Sequence, residues 1–152
     1  MTTTTDVQPT SKLFKISAPY VSEGRINVPL ARTDNMWVTL KVNAEGGENA
    51  THTHLDEDHT FMVLEGEVTF FDEHENASVL GPYEGIMIPK GAFYRYLNTG
   101  GTNLFLLRIG CKAGDVKKTR LRPDGSPIKG SSKDNKHVDG KPIPGKVFGH
   151  QG

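Results

Sequence analysis

A group of three histidines constrains this chain more than any other feature. His52, His54 and His59 lie within eight residues of one another and are half of its six histidines. On a β-strand, side chains two residues apart leave the same face, so His52 and His54 would point the same way. Imidazoles arranged like this bind Zn, Fe, Cu or Ni. The spacing therefore predicts a metal site.

The residues around the histidines have the composition of β-strands and turns. After an acidic turn at residues 55–58, His59 opens an apolar, strand-forming run that ends before Gly66. No stretch shows the helical i, i+3, i+4, i+7 apolar pattern. Short apolar runs instead recur at about ten-residue spacing with turn residues between them, at residues 36–42, 68–71, 77–80, 85–88, 93–97 and 103–109. This pattern predicts an all-β barrel or sandwich.

Composition divides the chain into three parts. Residues 1–12 are polar and predicted to be flexible, residues 13–111 hold the apolar runs, and residues 112–152 form a Gly- and Pro-rich basic arm. Residues 1–111 contain 8 Lys and Arg against 14 Asp and Glu, a net charge of −6, whereas residues 112–152 contain 10 against 4, a net charge of +6. We expect the arm to lie on the acidic barrel, its own or a partner's. The overall charge of zero predicts no nucleic-acid partner.

The remaining composition limits the environment of the protein. The single cysteine, Cys111, excludes an internal disulfide and a multi-cysteine zinc site, and we expect it to be buried at a strand end. The N-terminus lacks a basic segment followed by an apolar one, and no apolar run reaches membrane-spanning length. We therefore expect a cytoplasmic protein without a membrane partner.

Two short motifs resemble those of the cupin superfamily. The first reads Gly, five residues, His-x-His, three or four residues, Glu, six residues, Gly. Four positions match it, namely Gly46, His52, His54 and Gly66, while His59 replaces the Glu. The second motif reads Gly, five residues, Pro-x-Gly, two residues, His, three residues, Asn.

The second motif matches at three positions and departs at two. Pro89, Gly91 and Asn98 fit it, whereas Tyr83 replaces the leading Gly and Tyr94 replaces the His. The resemblance spans residues 46–98 and implies a double-stranded β-helix, the cupin or jelly-roll barrel. Cupin barrels commonly dimerise, so it also implies a homodimer.

The resemblance implies which residues hold the metal. The ligand set would be His52, His54, His59 and Tyr94, around one divalent transition metal ion per chain, with iron as the first candidate and zinc, nickel or manganese as alternatives. Tyr94 would have to lose its proton to bind well. The alternative is that it stays a neutral phenol in the pocket wall.

Three functions are compatible with such a site. The resemblance implies first a non-haem iron dioxygenase acting on an enolisable or aromatic substrate. The second is a redox-neutral lyase, isomerase or cyclase, in which Tyr94 or Tyr96 is the general acid or base. The third is a non-catalytic, metal-holding module that binds or senses a small molecule. Arg108 would hold a substrate carboxylate or enolate, or else pair with Glu65 or Glu84.

Strand alternation predicts the surroundings of the site. Inward-facing apolar residues would form a pocket wall or barrel core, namely Phe61, Val63, Met87, Tyr96 and Leu106. The other histidines, His74, His137 and His150, are predicted not to be ligands.

Overall fold

A computed structural model describes residues 7–114, 120–128 and 138–152. These residues form twelve β-strands: β1 (Ser17–Val21), β2 (Arg25–Arg32), β3 (Met36–Asn43), β4 (Gly47–His54), β5 (Glu57–Glu65), β6 (Val68–Phe71), β7 (Ala77–Leu80), β8 (Gly85–Ile88), β9 (Tyr94–Asn98), β10 (Leu104–Lys112), β11 (Arg120–Leu121) and β12 (Pro142–Gly149). No helix in this described part of the chain is long and apolar enough to cross a membrane.

Two five-stranded sheets build the barrel. One has the strand order β2-β3-β10-β5-β8 and the other the order β11-β4-β9-β6-β7, and all the neighbouring strands within them are antiparallel. Neighbours in each sheet are mostly distant in sequence, as in a jelly roll. The predicted all-β, double-stranded β-helix is confirmed.

The barrel interior is filled by every second residue of its strands. Phe61 and Val63 of β5 and Leu106 of β10 are fully buried there. Tyr96 of β9 is also buried, as predicted. Met87 was expected on the same wall, but its side chain is 68% exposed. Ile86 and Ile88 of β8 take the inward positions instead, so the strand is present and the predicted face is wrong by one residue.

A second apolar cluster covers the outer face of the first sheet. Leu40 and Val42 of β3 and Phe105 of β10 are fully buried there, against the β1–β12 sheet. The end of the basic arm forms this sheet, because β12 pairs with β1 and the Phe148 ring stacks on Phe105 with centroids 3.9 Å apart. The described end of the arm therefore lies on its own barrel, where Lys141 pairs with Glu23 at 2.8 Å.

Cys111 is the exception at the end of β10. It was expected to be buried, but it is exposed. The strand continues past it to Lys112, and its side chain belongs to neither apolar cluster.

Candidate metal centre

Two pairs of neighbouring strands, β5–β10 in one sheet and β4–β9 in the other, bring the predicted site residues together inside the barrel. β4 supplies His52 and His54, β5 supplies His59, β9 supplies Tyr94 and β10 supplies Arg108. The pairing of β4 with β9 sets His52 directly opposite Tyr94. All five side chains are about nine-tenths buried or more.

The ring distances show how closely these side chains converge. The imidazole centroids of His54 and His59 are 4.5 Å apart, and those of His52 and His54 are 5.2 Å apart. The Tyr94 ring lies 4.5 Å from His52 and 6.2 Å from His54. The structure thus brings together the four residues that the sequence proposed as ligands.

Glu57 joins this cluster, although it was predicted to lie in an acidic turn. It is the first residue of β5 and is buried. Its Oε2 lies 2.8 Å from His59 Nε2 and 3.3 Å from His54 Nδ1. His54, Glu57 and His59 each offer a ligand atom within 4.8 Å of the others, so this set could hold a metal ion. The signal was available, because Glu57 and His59 are two residues apart on one strand.

The hydrogen-bond partners assign the imidazole protons. His52 Nδ1 lies 2.8 Å from the Ala50 carbonyl oxygen, which can only accept, so this nitrogen carries the proton. His54 Nδ1 and His59 Nε2 both face the Glu57 carboxylate and are protonated for the same reason. The lone pairs of the neutral rings are then on His52 Nε2, His54 Nε2 and His59 Nδ1.

The Arg108 guanidinium lies at two of these lone pairs. Its Nε donates to His59 Nδ1 at 3.2 Å, and a terminal nitrogen lies 3.5 Å from His54 Nε2 and 3.4 Å from the Tyr94 hydroxyl. Its other terminal nitrogen donates to Glu48 Oε1 at 2.9 Å. The predicted ion-pair partners Glu65 and Glu84 are therefore wrong. Both lie elsewhere, with Glu65 accepting from Tyr20 and Glu84 from the Gly81 backbone.

Lys41 completes a buried ionic group. Its Nζ lies 2.8 Å from the same Glu48 oxygen that Arg108 contacts. Two cations, Lys41 and Arg108, thus share one carboxylate, Glu48. Burial alone would raise the pKa of Glu48, but the two cations hold that pKa well below its usual range. Burial lowers the pKa of Lys41 to about 8, against the opposite effect of Glu48.

Burial also favours the neutral forms of two histidines and two tyrosines of the site. Desolvation, with His59 and Arg108 acting in the same direction, lowers the pKa of His54 to about 2. Desolvation likewise lowers the pKa of His59, although Glu57 opposes it. Desolvation raises the pKa of Tyr94 well above its usual range and also raises that of Tyr96. His54, His59 and the two tyrosines are therefore neutral groups beside the buried ionic group.

Two unsatisfied atoms show that these residues fit a cation. His52 Nε2 and Glu48 Oε2 lie 3.4 Å apart, and neither has a hydrogen-bond partner among the described residues. Buried acceptors of this kind are stabilised by a cation or an N–H donor, and a metal ion at His52 Nε2 would satisfy that nitrogen. The imidazole tautomers suit a metal as well, since ligating histidines usually donate their other N–H to a carbonyl or carboxylate.

The remaining predicted residues have simpler surroundings. The Tyr96 hydroxyl is buried without a partner in the described part of the chain, and its ring lies beside Lys41. The His74 side chain is 77% exposed at its hairpin tip, so it is separate from the site, as predicted. His150 is exposed next to the C-terminus, and His137 lies outside the described residues.

Sequence comparison identifies a family and a related protein. A family model described as the cupin domain matches residues 36–110. The uncharacterized protein YdbB of Bacillus subtilis strain 168 is 33% identical over 75 residues, which are 49% of this chain and 65% of YdbB. The chain thus spans less than two thirds of that relative.

Solved structures resemble the same barrel. KdgF from Halomonas sp. has a TM-score of 0.58 at 16% identity, covering 69% of this chain and 97% of KdgF. TT1209 from Thermus thermophilus has a TM-score of 0.56 at 25% identity, covering 64% and 91%. An uncharacterized Klebsiella pneumoniae protein with a double-stranded beta-helix domain has a TM-score of 0.53 at 18% identity, covering 63% and 92%. These similarities show the fold.

Proposed function

Residues 36–110 of this chain are a cupin domain, and from that premise we propose that the protein is a metal-dependent enzyme acting on a small molecule. One observation carries the proposal. Three buried imidazoles converge, and each has one ring nitrogen at an oxygen acceptor, which leaves the other nitrogen free to bind an ion. His52, His54 and His59 would hold the ion, and Glu57 would orient two of them.

We further propose that the ion is iron and that the reaction is the dioxygenation of an enolisable or aromatic substrate. Three neutral imidazoles leave the full charge of a divalent ion available, and such an ion stabilises an enolate. In this assignment Tyr94 would stay a neutral phenol in the pocket wall, because a bound phenolate would favour Fe(III). A dioxygenase adds both oxygen atoms of O₂ to its substrate and needs no further reductant.

The protein's own residues supply the remaining functions. Arg108 would attract an anionic substrate, since a guanidinium keeps its charge even when buried. Phe61 and Phe70 form an apolar wall against the Tyr94 ring and would exclude water. The Tyr94 hydroxyl would donate a hydrogen bond to negative charge that develops on the substrate.

A redox-neutral lyase, isomerase or cyclase is the second candidate. It is favoured by the position of the Tyr94 hydroxyl, 3.5 Å from His54 Nε2 and 3.4 Å from Arg108. A neutral phenol in that position could return a proton to a carbanion. A metal-holding module without catalysis is the third function, and it predicts binding without turnover.

Metal analysis combined with an oxygen assay tests these functions. The protein is purified without added metal, its metal content is measured, and O₂ uptake is followed with acetylacetone as a 1,3-diketone probe. We expect about one iron per chain and O₂ uptake in step with loss of the enol absorbance. His54→Ala should abolish both, whereas the exposed-histidine control His74→Ala should retain both.

The other outcomes separate the alternatives. Anaerobic loss of the enol absorbance would favour the redox-neutral enzyme. Bound metal without turnover of any enolisable probe would favour the binding module. Absence of metal after reconstitution with iron, zinc and nickel would contradict the proposal as a whole.

A further inference from the structure

The Arg108 guanidinium and a metal ion would bind the same lone pairs of the imidazole nitrogens. Arg108 Nε donates to His59 Nδ1 at 3.2 Å, and a terminal nitrogen approaches His54 Nε2 at 3.5 Å. A guanidinium has five N–H donors and no acceptor, and it is charged at every accessible pH. These nitrogens therefore already contact a cation that belongs to the chain itself.

The conflict exists for either nitrogen of His59. If Nδ1 binds the ion, its lone pair is used and Arg108 Nε loses its acceptor. If Nε2 binds the ion together with Glu57 and His54, the neutral ring must carry its proton on Nδ1. That proton would point at the Arg108 Nε–H. In both cases the bond between Arg108 and His59 must break.

Glu48 offers the guanidinium a second position. Arg108 contacts Glu48 Oε1 at 2.9 Å, whereas Glu48 Oε2 has no hydrogen-bond partner among the described residues. Arginine and carboxylate groups commonly pair through two parallel hydrogen bonds. A movement of Arg108 towards Glu48 would exchange its bond to His59 for a bond to Oε2, and the guanidinium would remain paired within the barrel.

We propose that Arg108 is an internal competitor for the metal, which occupies the imidazole lone pairs in the metal-free protein and moves onto both oxygens of Glu48 when the ion binds. This inference rests on the proposed metal centre and adds a control of its affinity. Arg108 would stabilise the empty site and weaken ion binding.

Binding of Co²⁺, followed by its visible absorption, tests the competition in Arg108→Met and in a matched variant, Lys41→Met. Both substitutions remove one cation from the same Glu48 oxygen, but only Arg108 contacts the histidines. We expect Arg108→Met to bind Co²⁺ at least about tenfold more tightly than wild type, the equivalent of one charged hydrogen bond. Lys41→Met should stay within about threefold of wild type, and metal-free Arg108→Met should melt at a lower temperature than wild type.

Arg108→Lys provides a second variant in case Arg108→Met does not fold. It keeps a positive charge beside Glu48 but loses the planar fork that reaches His59, so it should also bind Co²⁺ more tightly. In the wild-type protein, the ¹⁵N resonance of Arg108 Nε should shift when Zn²⁺ is added.

The outcomes distinguish this inference from the metal centre itself. Equal Co²⁺ affinity in wild type and Arg108→Met would overturn the competition and leave the centre in place. An equal gain in Co²⁺ affinity in Arg108→Met and Lys41→Met would also overturn it, because the loss of one nearby positive charge would then explain both gains. Binding by the Arg108 variants but not by wild type would support the competition and contradict the metal-dependent function. No binding by any of the proteins would overturn both.

Discussion

At the scale of single residues, Tyr83 adopts a backbone conformation that its side chain opposes. It replaces the leading glycine of the second cupin motif, and its φ angle is +70°. In that region the Cβ of an L-residue crowds the following carbonyl oxygen, at a cost of about 1–2 kcal/mol. The side chain is 95% exposed, so packing does not compensate. The motif position therefore has a glycine conformation but a tyrosine side chain.

Tyr83→Gly should stabilise the protein. Relief of the left-handed strain exceeds the extra entropy that glycine loses on folding, so we expect a gain of about 0.5–1 kcal/mol in the free energy of unfolding. Urea titration followed by circular dichroism measures this gain. Tyr83→Ala is the control, because it removes the same side chain and keeps the strain. An unchanged or lower stability of Tyr83→Gly would show that the tyrosine ring makes a contribution its exposure does not reveal.

At the scale of elements, the β1–β12 sheet is attached to the barrel by one residue in particular. Tyr20 of β1 donates to Glu65 Oε2 of β5 at 2.5 Å, and its ring packs against Phe105 and Phe148. The hydrogen bond to Glu65, together with burial, raises the pKa of Tyr20 from 10 to about 12. The folded state therefore keeps this proton where the unfolded state loses it.

Tyr20→Phe should lower stability below pH 10, and this loss should shrink as the pH rises from 10 to 12. The folded pKa is the higher one, so the hydrogen bond contributes fully below pH 10 and its contribution is lost as the pH rises through 12. We expect a cost of about 1 kcal/mol at pH 9 that falls by about half at pH 11. Urea midpoints at both pH values measure it, with Tyr83→Phe as the exposed-tyrosine control. An equal cost at pH 9 and pH 11 would contradict the role of the Tyr20 proton.

Strand positions were predictable from the sequence because they depend on local pattern. The runs at residues 77–80 and 85–88 coincide with β7 and β8, and β5 differs from its run only at its ends. Local pattern was ambiguous at the start of β5. The acidic run around Glu57 predicts a turn, whereas its two-residue spacing from His59 predicts a strand on which both side chains point inwards. The partner of Arg108 was not predictable, because Glu48 lies 60 residues away and reaches it only through the folded barrel. β12 was missed because a Gly- and Pro-rich strand depends on β1 for its structure.

At the scale of the whole molecule, two apolar clusters form without a metal ion, although Tyr94 and Tyr96 belong both to the barrel cluster and to the site. One apolar cluster fills the barrel and the other lies beneath the β1–β12 sheet. Buried cations already pair with a carboxylate inside the barrel without an added ion, since Lys41 and Arg108 both contact Glu48. The homodimer suggested by the cupin resemblance stays a prediction. The fold should thus not depend on metal, unlike that of small domains in which the ion replaces a core.

Removal of metal should therefore leave a cooperatively folded protein whose stability rises when an ion is returned. After EDTA treatment we expect unchanged β-sheet circular dichroism and a single thermal transition. Free Zn²⁺ at about one hundred times its dissociation constant should then add about 2.7 kcal/mol, and this raises the melting temperature by roughly 5–10 °C for a chain of this length. His59→Gln should lose the shift and His74→Gln should keep it. A metal-free protein without a transition would contradict a metal-independent core, whereas a shift that survives in His59→Gln would locate the ion elsewhere.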